Sequence, residues 1–101
     1  MSDLSRVLVV DGDAPLRRSL VEQLELNAEF AGVECGSAAA ALEMTRREQF
    51  DAVLLGVDLP DMDGRELCRR LRDAGITVPI VMLESAEAEP SATLADRKSV
   101  V

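Results

Sequence analysis

The 101-residue sequence contains no histidine, tryptophan or tyrosine, and only two phenylalanines, Phe30 and Phe50. Without histidine there is no imidazole base and no histidine metal ligand. With so few rings there is no exposed platform on which nucleic-acid bases could stack. Lysine occurs once, at Lys98. No apolar run approaches about 18 residues, so nothing in the sequence reads as a membrane span. The opening residues, MSDLSRVLVV, lack the basic-then-apolar pattern of a secretory signal. Two cysteines, Cys35 and Cys68, are too few for a disulfide scaffold. The compartment expected from this is the reducing cytoplasm, with both thiols as small packing residues.

What is present is acidic. Nineteen Asp and Glu stand against eleven Lys and Arg, for a net charge of −8. Nucleic-acid binding needs a basic face, so that partner class is excluded. The arginine pairs Arg17-Arg18, Arg46-Arg47 and Arg69-Arg70 fall within or at the end of helical segments. They read as solvated faces or as favourable charge near helix C-termini. An apolar fraction of 48% is ordinary for one globular domain and too high for a disordered acidic chain.

Strands and helices alternate along the chain. RVLVV at 6–10 is apolar on both faces, as a buried parallel strand is. Asp13 suits the N-cap of the next helix and Pro15 its first turn. Leu16, Leu20, Val21 and Leu24 recur at helical spacing, which predicts a helix over 14–27. A weaker strand follows at 30–35, interrupted by Gly32. Ser37 is the N-cap expected for an alanine-rich helix over 38–48. FDAVLLGV at 50–57 is a second strongly buried strand. Residues 59–64, LPDMDG, form a turn-rich loop. A third helix is expected over 65–74, with Leu67, Cys68 and Leu71 inward and Gly75 as its C′ residue. VPIVML at 78–83 is the fourth strand. Beyond it the pattern fades into a short helix over 91–97 or a loose tail, and Ser99-Val100-Val101 is too short for a strand. The order β-α-β-α-β-α-β predicts an α/β fold, a doubly wound parallel sheet.

In such a sheet the site lies at the carboxyl ends of the central strands. The loops there carry RVLVVDGDAPLRRSL, FDAVLLGVDLPDMDGRELCRRLR and VPIVMLES. Together these closely resemble the receiver domain of bacterial two-component response regulators, over residues 5–85 of a single domain spanning 1–101. The resemblance implies a flavodoxin-like sheet of order 2-1-3-4-5. It also implies a pocket in which an acidic pair holds Mg²⁺ and an Asp accepts a phosphoryl group from a histidine kinase. A Thr or Ser and a Lys bind the phosphoryl oxygens there.

The sequence departs from that pattern position by position. Asp11 matches the first acid, but Gly12 stands where the second is usual. Gly56 occupies the acceptor position, four residues before Pro60, and has no side chain to phosphorylate. Glu84 stands at the Thr/Ser position unless Ser85 has shifted into it. Lys98 falls short of the family's lysine. A carboxylate at Glu84 would imitate a permanent negative charge; its plainer alternative is a solvated residue past a strand end. Asp13 could replace the missing acid, against its simpler role as a cap. Asp58 could act as a displaced acceptor, but two strand residues move it about 6–7 Å outward. The run from Asp58 through Asp61 and Asp63 to Gly64 faintly resembles a calcium loop, with the wrong spacing and no closing Glu.

These departures predict a degenerate receiver that needs no cofactor and is not an enzyme. It would act as a protein–protein interaction module whose partners are a histidine kinase, a phosphotransfer protein or another receiver. The alternatives are a working phosphoacceptor that uses Asp58 or Asp11, and a non-functional or engineered fragment. Only 18 residues follow Leu83, too few for the family's fourth helix, fifth strand and fifth helix. The fold is therefore expected to stop after the fourth strand. That strand would be an open edge and one sheet face would be uncovered, which favours a homo-oligomer.

Overall fold

The computed structural model describes residues 4–83 and 98–100. β1 (Ser5–Val10), β2 (Phe30–Cys35), β3 (Ala52–Gly56) and β4 (Ile80–Leu83) alternate with α1 (Ala14–Glu25), α2 (Ala38–Arg47) and α3 (Gly64–Asp73). A short β5 (Lys98–Val100) follows, and one sheet has the order β2-β1-β3-β4-β5, with β1–β4 parallel. This is the flavodoxin-like arrangement expected from the sequence.

The caps act as the residue types dictate. The Asp13 carboxylate accepts the Leu16 N–H at 3.1 Å, and the Ser37 hydroxyl accepts the Ala40 N–H at 3.2 Å. Gly75 ends α3 with φ +95°, a left-handed conformation that favours glycine. One cap was not foreseen. Asp63, inside the turn-rich loop, starts α3 by accepting the Arg65 N–H at 2.7 Å.

Packing is unequal on the two faces. Leu8, Val10, Val53, Leu55, Ile80 and Met82 point to one side and form a single core with Leu67 and Leu71 of α3 and Ala38 and Ala41 of α2. Each fully buried leucine or isoleucine there contributes about 1.5–3 kcal/mol. The opposite face carries α1, which approaches β2 at Gly32; a Cβ there would lie 2.9 Å from Val21 Cγ1. α1 buries none of its residues, and Leu16, expected on its inner stripe, is 46% exposed. On that same face Leu54, Val81 and Leu83 are only half-buried.

Two expectations need correction. β4 is not an open edge, because β5 (Lys98–Val100) pairs with it antiparallel, Val81 opposite Val100 and Leu83 opposite Lys98. The fold therefore does not stop at the fourth strand, and the last residues do form a short one. Three residues have too little alternation to signal a strand from sequence; the partner supplies the ladder. The expected alternatives for 91–97 lie outside the described residues.

A close backbone approach lies at the carboxyl end of the sheet. A Cβ on Gly64, the first residue of α3, would run into the Gly56 carbonyl oxygen, and Gly64 N–H donates to Val57 O at 2.7 Å. We expect Gly64→Ala to lower stability by about 1–3 kcal/mol through this overlap. Gly75→Ala meets open space and costs about 1 kcal/mol from its left-handed φ alone. Urea denaturation of the two variants checks the order; equal or reversed costs would contradict the close approach.

Candidate functional site

The loops after β1 and β3 meet at the carboxyl end of the sheet, as expected for this topology. Asp11, directly after β1, is 9% exposed and is the one buried charged residue among those described. Its Oδ1 accepts the Asp13 N–H at 2.8 Å. Its own N–H donates to Cys35 O at 3.1 Å, and its carbonyl accepts from Arg17 Nη1 at 2.7 Å. Gly56 closes β3 beside it, and a Cβ on Gly56 would collide with Asp11 Oδ2. Gly12 lies under the next loop, where a Cβ would be 3.1 Å from Pro60 Cδ and 3.6 Å from Asp58 O. The structure therefore brings Asp11, Gly12 and Gly56 together. Glu84, Ser85 and the residues up to 97 lie outside the described residues.

The other acids of the site have structural work. Asp13 caps α1 and Asp63 caps α3. Asp58 is exposed and its backbone pairs with that of Asp63, closing the loop into a narrow turn. Asp61 reaches to the start of α2, where its two oxygens accept the Ala38 and Ala39 N–H groups, each at 2.9 Å. These two bonds hold its carboxyl below the ordinary value of 3.8. The run of loop acids thus spreads over two helix termini, and no calcium loop forms.

Arg17 also departs from the sequence expectation. It is not on a solvated helix face. Besides its bond to Asp11 O, its Nε donates to Glu34 Oε1 at 3.0 Å, and its side chain is 17% exposed. It ties α1 to the ends of β1 and β2 at the rim of the pocket. Cys35 lies beneath, its Sγ 3.3 Å from Ser37 O. Burial pushes its thiol up, away from the reactive thiolate, which agrees with a packing role.

Comparison with known proteins now bears on this geometry. The family model described as the response regulator receiver domain matches residues 7–97. The chain belongs to the response regulator receiver family. Response regulator MprA of Mycobacterium leprae is 37% identical over 83 residues, covering 82% of this chain and 36% of that protein. Response regulator MprA of Mycobacterium ulcerans is 41% identical over 88 residues, covering 82% and 35%. The chain thus spans about a third of the length of the curated relatives it matches. Among solved structures, the CheY-like receiver domain from Methylobacillus flagellatus superposes with a TM-score of 0.78 at 24% identity, covering 89% of this chain and 77% of that one. That likeness shows the fold.

A receiver's acidic pair and acceptor would hold Mg²⁺ through converging carboxylates. At the positions that the sequence resemblance gives to those acids stand Asp11, Gly12 and Gly56. Among the described residues no group of three or more cysteine, aspartate or glutamate side chains could hold a metal ion. The described residues do not fit the ion. No helix among the described residues is long and apolar enough to cross a membrane.

Sequence reasoning missed Asp61 and Asp63 as helix-terminus ligands. The signal for Asp63 was present, since an Asp before a helical run is a cap pattern. For Asp61 there was none, because its partners lie 22 and 23 residues away. Its pH behaviour is testable. A carboxyl held low in the folded state stabilises fully above its unfolded value, near 3.8, and loses that contribution as pH falls through the lower folded value. We expect Asp61→Ala to lower Tm at about pH 6, with the gap from wild type narrowing below about pH 4. Thermal melts across that range check it; a gap independent of pH would contradict the clasp.

Proposed function

We propose that this receiver works without phosphorylation, as a protein–protein interaction module of two-component signalling in the cytoplasm. One observation carries this reading. Gly56 stands where the resemblance puts the acceptor, and the Asp11 carboxylate lies in front of it. A carboxylate nucleophile is the group the chemistry cannot do without. Neither alternative acceptor is supported. Asp11 is buried, with one oxygen already accepting a backbone N–H. Asp58 is exposed in a turn beyond the strand end. Without acceptor or metal ligands the domain carries no catalytic activity of its own.

The test is incubation with acetyl phosphate and Mg²⁺, read by intact mass and by melting. We expect no gain of a phosphoryl group and no Mg²⁺-dependent rise in Tm. A gain of one phosphoryl group, mapped to Asp58 or Asp11, would overturn the reading.

For partners we propose a histidine kinase, a phosphotransfer protein or another receiver, with α1 and the loops at the strand ends as the contact surface. On α1 the surface offers exposed Leu16 and a shallow groove of about 330 Å³ lined by Ala14, Pro15, Arg18, Ser19 and Glu22. The half-buried Leu54, Val81 and Leu83 on the same sheet face favour self-association through that face. Sedimentation should show a dimer at micromolar concentration, shifted toward monomer by Val81→Glu. A clean monomer at high micromolar concentration would remove the self-association. The fixed charge expected of Glu84 remains part of the proposal: Glu84→Ala should change partner affinity, and unchanged affinity would discard it.

A further inference from the structure

The end of the sheet away from the pocket carries a groove of about 600 Å³. It opens between the C-terminal end of α2, the turn into β3 and the loop from α3 to β4. Its floor is apolar. Phe50 and Val53 are buried, and half-buried Ile76 and Val78 continue the core to the surface. Its rim carries Arg46 and Arg47, both exposed.

One arginine pins each wall. Arg6 of β1 donates from Nη1 to Gln49 O at 3.2 Å and from Nη2 to Glu48 Oε1 at 2.6 Å. Its guanidinium lies 4.8 Å from the centre of the Phe50 ring, and its backbone N–H donates to Asp51 Oδ2 at 2.8 Å. On the other side Arg72 of α3 donates from Nη1 to Ile76 O at 2.9 Å and to Val78 O at 2.8 Å. Both walls are fixed before a ligand arrives, which lowers the ordering cost of binding.

The same bonds set the charge of the groove. Its two acids, Glu48 and Asp51, are engaged by Arg6. Arg46 has an exposed i,i+3 pair with Glu43 at 3.2 Å, a contact of little worth. Arg47 has no ion pair or side-chain hydrogen bond among the described residues. The two guanidiniums outweigh the roughly half-unit negative charge of the helix terminus that carries them. The acids of the pocket lie at the other end of β3, five residues or about 16 Å away. That is about two Debye lengths at physiological salt, so the chain's net charge of −8 does not cancel this local excess.

We propose that the groove is a docking site for an acidic segment of a partner protein. Carboxylates of the segment meet Arg46 and Arg47, and an apolar side chain covers Ile76 and Val78. The rim calls for negative charge and the floor for hydrocarbon, a combination that a peptide supplies and a free anion does not. The site lies on the α2–α3 face, so it is separate from the contact surface proposed on α1.

The probe is a blocked peptide of glutamate pairs separated by leucines, titrated into the full chain and followed by amide chemical shifts. Shifts should be confined to residues 45–51 and 75–78. Arg46→Glu and Arg47→Glu together should weaken binding about tenfold, since two rim ion pairs become repulsions. Arg65→Glu makes the same kind of charge change at the far end of α3, and should alter affinity less than about twofold. A peptide with serines in place of the leucines should bind at least about fivefold more weakly, because the floor is left uncovered. The substituted arginines are exposed, and unchanged shifts in the free variants away from position 46, 47 or 65 verify that the fold is kept. Absence of shifts, shifts confined to α1, an equal loss in Arg65→Glu, or equal binding of the serine peptide each overturns the proposal.

Discussion

The pocket end of this molecule depends on one close approach, that of Gly64 to the carbonyl of Gly56. Because the first residue of α3 rests directly on the end of β3, the loop between them is short and tightly turned. The Asp58–Asp63 backbone pair closes it, Asp63 starts α3, and Asp61 is thrown outward to meet α2. Acids that look available in sequence are thereby committed to the backbone. A buried or half-buried donor left unpaired costs more than a bond contributes when made, so such groups are not readily released for chemistry.

The frame of the fold was legible because it is written in periodic patterns. The apolar runs of β1 and β3, the inward stripe Leu67, Cys68 and Leu71, and the caps at Asp13, Ser37 and Gly75 all stand where residue type and spacing put them. Features made by distant pairs were not legible. Asp61 finds α2, Arg17 finds Glu34, and β5 finds β4, each through separations that no local window spans. The site shows the same division. Sequence tells that glycines stand at 56 and 12, where the resemblance leads one to expect carboxylates. It does not tell that the Asp11 carboxylate lies against Gly56, which is a fact of volume and not of pattern.

The two glycines of the pocket are consequently unlike each other. At Gly12 a side chain would stand 3.1 Å from Pro60 Cδ, so that ring would have to give by a few tenths of an ångström. At Gly56 it would meet the Asp11 carboxylate, the far end of a flexible side chain.

α1 is set close against β2 at Gly32, yet none of its residues is fully buried. Its attachment rests on the Val21 contact, the Arg17 bonds and the bond from Gly32 N–H to Glu25. Such an element opens at lower free energy than the sheet core beneath it. A protein that grips α1 would therefore act on the part of the molecule easiest to reshape. Through Arg17 its grip would extend to the ends of β1 and β2.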